Sequence, residues 1–492
     1  MKLYLGVDLG TSSMKILLVN KKGEVIKKVQ EYYEVHNFNE VFNEQNPLDW
    51  WNSFLIAFKK ISEEIDVNQI EAISFSGQMH GLVILDENDN VIRPCILWND
   101  GRSEKETDYL NKVIGEDFLM NEVGNISFSG FTLPKLLWVK NNESNNFKRI
   151  KKIMLPKDYI VYRLTNNFVT DYSDASGTLL LDVKNKKWSK KMAMIGNISL
   201  NILPTLHEST DIVGETNHEF NELFKISKPI KVVIGGGDNA ISAVGTNCLK
   251  EGNATISLGT SGTIFVASDK FVLDKSRAIH SFAHANGKYH LLSCILSAAS
   301  ARSWFLEKVL NTKDYSKNEE EMTFSLKNNV LFLPYLNGER CPYNDPNLTA
   351  NFFNLRYNTT SSDMSVAVIE GVCFALKDCF NKILEDGLSF NHTLITGGGS
   401  KSKLWCQMLS DVLQIPLYKQ NFEEGPAFGA AIVAMVGLSE YASFEKFFAQ
   451  NKIEESVFTP NKEMEEYYDR KYRQYKKLHN IALELVDIKN EK

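Results

Sequence analysis

Long apolar runs are missing from this sequence: no stretch reaches the ~18 apolar residues that a membrane span requires. Cysteines are few and scattered. The seven of them (Cys95, Cys248, Cys294, Cys341, Cys373, Cys379 and Cys406) are odd in number and show no C-x-x-C spacing, which argues against a disulfide framework and a structural zinc site. A reducing, cytoplasmic setting is the expectation. Charge of one sign is also short, since a net charge of -6 leaves no electrostatic footprint for nucleic acid or a membrane surface. Near the start, Asp8 and the glycines on either side break any apolar h-region, so no signal peptide is expected. No G-x-x-x-x-G-K-[ST] occurs, which excludes a Walker phosphate loop.

What is present is an ordinary globular composition, 43% hydrophobic and 24% charged, in a chain of 492 residues, long enough to expect two large domains. The chain is organised around Val232-Val233-Ile234-Gly235-Gly236-Gly237-Asp238-Asn239-Ala240. An apolar run, three glycines, a carboxylate and then small residues read as strand, tight turn and helix N-terminus, with free N–H groups for an anion. At the mouth of that turn Asp238 can take a proton from a bound hydroxyl, or it can merely cap the helix. The turn by itself leaves both readings open.

Residues 3–8, 14–19 and 24–29 read as a three-strand meander, turned at its first hairpin by Gly10-Thr11-Ser12-Ser13. The backbone and hydroxyls of that turn suit phosphate oxygens and Asp8 suits a hydrated magnesium ion, although plain hairpins use the same residue types. The hairpin recurs half a chain later at Gly259-Thr260-Ser261, with Ser257 in the place of Asp8. Self-similarity on that scale implies two related domains, taken as 1–245 and 246–492. Two such hairpins facing across a cleft would clamp the phosphates of a nucleotide. The expected class is α/β, with two actin-like (ribonuclease H-like) ATPase domains flanking a catalytic cleft, an arrangement these hairpins resemble.

Leu48 to Ile65 carries helical spacing, and Ile70 to Phe75 reads as a strand. That strand runs into Ser76-Gly77-Gln78-Met79-His80-Gly81, a polar loop of the kind where open α/β folds bind ligands. Gln78 and His80 are candidates for the hydroxyls of a small polyol or sugar, although a lone histidine is more often structural. In Leu97-Trp98-Asn99-Asp100-Gly101-Arg102, the aromatic suits a sugar pocket, while Asp100 and Arg102 suit either a pocket or an ion pair. Leu394 to Ser402 is another strand, glycine turn and helix start. Met364 to Phe380 reads as a core helix, and Asn461 to Leu485 as an exposed amphipathic helix with solvated charges.

Asp8-Leu9-Gly10-Thr11-Ser12, Gly77-Gln78-Met79-His80-Gly81, Leu97 to Arg102 and Gly235 to Ala240 together resemble the FGGY carbohydrate kinases, in the branch acting on ketopentoses. Gly130 to Val139, Leu155 to Tyr159 and Asp171 to Gly177 extend the resemblance, which runs in order from Leu3 to about Gly437. It departs at Asn354, where the family usually has glycine. The resemblance implies transfer of the γ-phosphoryl group of ATP to an open-chain ketopentose, D-xylulose first, with Asp238 as general base and Asp8 ordering Mg2+. It implies that Thr11, Ser12, Gly259 and Thr260 grip the phosphates, and that Gly398, Gly399 and Ser400 meet the adenosine end. Met79, His80 and Asn239, helped by Gln78 and Trp98, would hold the sugar. The small residues from Gly425 to Ala431 would form a helix packed close to the nucleotide. Closure about Gly245-Thr246-Asn247 and a homodimer are further expectations. His280 and His284 fall to core or surface, and the loop ending at Glu339-Arg340 has no assigned role. One rival is a sister kinase for L-xylulose, gluconate or glycerol; Gln78-Met79-His80 argues against glycerol, whose kinases resemble Gln-Arg-Glu there. The other is an actin-like nucleotide switch, against which Asp8 and Asp238 stand together.

Overall fold

The structure, a computed structural model, describes residues 1–37, 41–421 and 425–490, with side chains as far as Leu485. β1 (Leu3–Leu9), β2 (Ser13–Asn20) and β3 (Val25–Tyr32) form the expected antiparallel meander. α1 (Pro47–Ser62) starts where Asn46 accepts the N–H of Leu48 at 3.1 Å, with proline at the position that has no N–H to satisfy. Its Phe54 and Phe58 meet Phe220 of the helix His218–Phe224 at ring distances of 5.8 and 4.8 Å, and Phe54 meets Phe75 of the sheet at 6.2 Å. β4 (Ile70–Gly77) lies parallel to β1; β5 (Ile212–Glu215) and β6 (Lys231–Gly237) complete a six-stranded sheet in the order β5-β6-β4-β1-β2-β3. α2 (Asp238–Gly245) follows at once.

The same plan then repeats. β7 (Asn253–Leu258), β8 (Gly262–Ser268), β9 (His280–Ala283) and β10 (Tyr289–Ile295) precede α3 (Ser361–Glu385), the predicted core helix. β11 (His392–Thr396) runs parallel to β7 as β4 does to β1, and α4 (Lys403–Leu413) and β12 (Leu417–Gln420) follow. After α5 (Gly425–Gly437), β13 (Glu455–Phe458) closes a seven-stranded sheet in the order β9-β10-β8-β7-β11-β12-β13. α6 (Glu465–Asn490) ends the chain.

The two sheets are interlocked rather than simply adjacent. A Cβ on Gly6 of β1 would stand 1.9 Å from the Ala427 carbonyl oxygen of α5. A Cβ on Gly429 would stand 1.9 Å from the Ile241 oxygen of α2, and one on Gly245 would stand 2.6 Å from the Gly425 oxygen. Helix backbones touch at that spacing only where side chains are absent. The small residues of Gly425 to Ala431, expected from the sequence to pack close to a nucleotide, also let α5 cross α2 and cover β1.

Two further readings change. α6 is not simply a solvated amphipathic helix: Lys471 is buried and paired with Glu370 of α3, and Tyr467, Tyr468, Tyr475 and His479 are buried too. Its charges anchor it because a carboxylate from α3 meets them inside the core. Asn354, where glycine is usual in the family the sequence resembles, has φ of 64°, and its amide donates to the Asn329 carbonyl at 3.0 Å. Asparagine tolerates this left-handed backbone, so the substitution keeps the turn.

Candidate active site

In the first sheet, Leu9 pairs with Gly77 and Gly77 with Gly237, so β1, β4 and β6 end side by side. The loops leaving these parallel ends carry Gly10 to Ser12, Gln78 to His80, and Asp238 with Asn239, which is where open α/β sheets collect ligand groups. Gly235 is required for the last bend: its φ is 74°, and a Cβ would lie 1.8 Å from the Phe75 oxygen.

The structure removes the cap reading of Asp238. Gly237 is the N-cap and Asp238 the first helical residue; its Oδ1 accepts only the adjacent Asn239 N–H, at 2.7 Å, so it caps nothing. Burial, then the charge of Asp8, pushes the Asp238 carboxyl up to about 7. Burial likewise lifts Asp8 to about 6, against the pull of Ser76 and Lys15 beside it in the sheet. A free carboxylate titrates at about 4 and is a weak base in water. The fold makes Asp238 a stronger base, because two carboxylates share a poorly solvated site.

His80, on the loop that leaves β4, has φ of 69°. Its Nδ1 lies 2.8 Å from the Gly177 carbonyl, which can only accept, so Nδ1 carries the proton. The ring stacks on Phe131 at 4.9 Å, and burial holds its pKa down at about 3. Nε2 has no protein partner among the described residues and is left as an acceptor for a ligand hydroxyl. Gly177 is compulsory here, since a Cβ would overlap the imidazole at 2.3 Å. Asn239 Nδ2 is 3.6 Å from Met79 Sδ, so Met79, His80 and Asn239 form one wall.

Other candidates take supporting places. Gln78 is buried, donating to Gln45 Oε1 at 3.0 Å, and Gln45 donates to the Thr11 carbonyl at 2.6 Å. Trp98 is exposed, and its indole N–H reaches Thr11 Oγ1 at 3.0 Å. Asp100 and Arg102 resolve as the ion pair, at 2.7 Å, extended to Glu44 at 2.6 Å. Thr11 and Ser12 remain at the open turn of the first hairpin.

In the second sheet Ser257 pairs with Thr396, which sets Gly259 and Thr260 beside the Gly397 turn. A Cβ on Gly399 would meet Leu258 at 2.7 Å, so the two turns are in contact. Gly398 is exposed with open space above it, whereas Ser400 is buried and donates its hydroxyl to the Gly397 carbonyl at 2.8 Å.

Sequence reasoning passed over the supports behind the wall. Lys135 is fully buried and donates to the carbonyls of His80 (3.0 Å) and Gly130 (2.6 Å); burial lowers its pKa to about 7. Ser173 accepts the Gly237 N–H at 3.1 Å and is itself held by Asp171. Lys157 meets Asp158 at 2.7 Å and Asp171 at 3.2 Å, with Asp174 at 3.8 Å. These residues lie in the stretches that carried the resemblance, yet no spacing tells which backbone atom a buried lysine will reach.

Residues 3–245 match the N-terminal domain and residues 254–438 the C-terminal domain of the FGGY family of carbohydrate kinases. The chain belongs to that family. It is 36% identical to the xylulose kinase of Escherichia coli (strain K12) over 488 residues, covering 98% of this chain and 100% of the relative. It is 36% identical to the xylulose kinase of Lactococcus lactis subsp. lactis (strain IL1403), with both chains covered in full. A kinase of Brucella ovis, described as a xyloylose kinase, superposes with a TM-score of 0.94 at 34% identity, covering 98% of this chain and 100% of that one. This is a carbohydrate kinase of two-domain α/β fold, in keeping with the sequence expectation. Sugar and ATP are its substrate classes. No helix among the described residues is long and apolar enough to cross a membrane.

Proposed function

We propose that this kinase transfers the γ-phosphoryl group of ATP to the C5 hydroxyl of D-xylulose. The observation that carries the chemistry is the pair Asp238 and Asp8, side by side at the strand ends with raised pKa values. The observation that carries the sugar is full-length similarity to xylulose kinases. Met79, His80 and Asn239 orient the ketopentose, Nε2 of neutral His80 accepting a hydroxyl proton. Asp238 takes the proton of the attacking hydroxyl, a transfer matched to a base poised near neutrality. Thr11, Ser12, Gly259 and Thr260 hold the phosphates, and Gly398 and Gly399, with the turn built by Ser400, meet the adenosine end. Gln78 and Trp98 act from behind and beside, through Gln45 and Thr11.

Among the described residues no group of three or more His, Cys, Asp or Glu side chains is placed to hold a metal ion, and the ion is taken to arrive with ATP. Asp8 would meet Mg2+ through water, and the ion would neutralise charge on the phosphates. We divide the chain at 245/246, with α5 reaching back across the boundary, and place a hinge at Gly245 to Asn247 so that closure excludes water. A homodimer and a cytoplasmic location complete the reading. The test is ADP release with Mg-ATP over a panel of ketoses and polyols, beside Asp238→Ala. Turnover with D-xylulose that the variant abolishes is expected. Turnover with another sugar alone moves the enzyme to a sister activity, and sugar-independent ADP release undoes the pocket. Sedimentation reports the dimer.

A further inference from the structure

The sugar wall has a cation within reach that no step above uses. Arg340 follows the strand Leu331–Leu333 and the bend at Gly338, where φ is 73°. Its guanidinium carbon lies 5.4 Å over the ring of Phe128. Phe128 packs against Phe131 at 5.6 Å and edge-on against His280 at 5.0 Å, and Phe131 carries the stacked ring of His80. A single layer of aromatic rings thus runs from Arg340, in the second half of the chain, to His80 in the first. After burial, the charge of Arg340 is among the causes that keep His80 and His280 neutral.

Arg340 is partly accessible, and among the described residues no oxygen accepts a hydrogen bond from its guanidinium. Its neighbour Glu339 attracts it, but the hydrogen bond between them comes from the Arg340 backbone N–H, not from the guanidinium. Glu339 is buried, its Oε1 takes the N–H groups of Leu296 and Arg340 at 2.8 Å each, and burial lifts its carboxyl to about 8. A partly accessible guanidinium beside apolar rings has its planar set of donors available to a ligand. The phosphoryl end of the site is accounted for otherwise: Asp8 feels burial, Ser76 and Lys15, and Asp238 feels burial, Asp8 and the Asn239 N–H.

Resting on the sugar-kinase reading above, we propose that Arg340 is a substrate-binding residue whose planar fork takes the two adjacent oxygens at the ketone end of the sugar, remote from the hydroxyl at Asp238. The guanidinium donates one N–H to the C2 carbonyl and one to the C1 hydroxyl. Substrate then bridges the halves: His80, Asn239 and Asp238 from the first, Arg340 from the second. Discrimination between a ketose and its polyol follows from that geometry, because reduction replaces a pure acceptor by a hydroxyl and bends the planar pair.

The test is the kinetics of Arg340→Gln and Arg340→Lys, each first matched to the unaltered enzyme in melting temperature. KM for D-xylulose is expected to rise about 10- to 100-fold, with kcat within about fivefold and KM for ATP unchanged. Lysine should recover little, since it lacks the fork. The preference for D-xylulose over D-arabinitol should shrink in both. Unchanged sugar kinetics, or a rise confined to KM for ATP, overturns the proposal. Should either variant misfold, the unaltered enzyme decides: phenylglyoxal labelling of Arg340, read by peptide mass spectrometry, should slow with saturating D-xylulose alone. Equal labelling rates overturn the proposal. If the unaltered enzyme turns over no ketose, the functional reading fails separately, and protection by whichever sugar is turned over decides Arg340.

Discussion

The two sheets present the same edge with opposite content. In each, an antiparallel hairpin stands beside a parallel strand, and glycine turns leave the strand ends: Gly10 beside Gly77 in one sheet, Gly259 beside Gly397 in the other. The first edge is charged and densely supported, with Asp8 and Asp238 lifted toward neutral pH and a buried lysine with three aspartates behind them. The second puts Ser257 where Asp8 stands, and its turns show backbone and space above Gly398. Duplicated topology therefore supplies two scaffolds of the same shape, and their side chains differ. A base needs burial and a neighbouring charge to be strong; a grip on an anion needs N–H groups and no carboxylate.

The comparison breaks first at its charged side. Asp238→Asn should lower kcat by ~10²–10⁴, measured by ADP release, while sugar binding by calorimetry persists. Lys157→Met leaves Asp158, Asp171 and Asp174 without their cation and should cost ~3–5 kcal/mol in denaturant unfolding. The joint between the edges comes next. Gly429→Ala drives a methyl against the Ile241 carbonyl and should cost ~2–3 kcal/mol, seen as a lowered Tm. Ser257→Asp would make the second edge imitate the first and should raise KM for ATP by about tenfold through repulsion of the phosphates.

The smallest effect is the most specific. The folded pKa of Asp238, about 7, predicts that kcat/KM climbs with pH through an acid limb near that value, as the carboxylate forms. Asp8 raises that pKa, so the residual activity of Asp8→Asn should show its limb at lower pH; a limb that stays or rises contradicts the shared-site account. Burial of the two carboxylates has the opposite consequence for stability. Their folded pKa values exceed the ordinary 3.8, so what they contribute is fully present below that pH and is lost as pH rises through 6 and 7.

Much of this was legible in the sequence, and for local reasons. Period-two apolar runs, glycine turns and the repeated Gly-Thr-Ser hairpin specified two α/β units, because strand alternation and turn chemistry are written within a few residues. Asp8, Asp238 and His80 stood out because each sits at the end of such a run, whereas Met79 and Asn239 were named only through the resemblance to the FGGY carbohydrate kinases. What only the tertiary structure decided is long-range. That Asp238 caps no helix, and that burial and then the charge of Asp8, 230 positions earlier in the chain, raise its carboxyl, followed only from packing. The small-residue helix turned out to serve a backbone crossing with Gly6 and Gly245, which no local pattern encodes. Charges at the chain end that looked solvated found Glu370 in the core. Local propensity chooses the elements; desolvation and the electric field of distant neighbours exist only once those elements are packed, and they decide what each side chain can do.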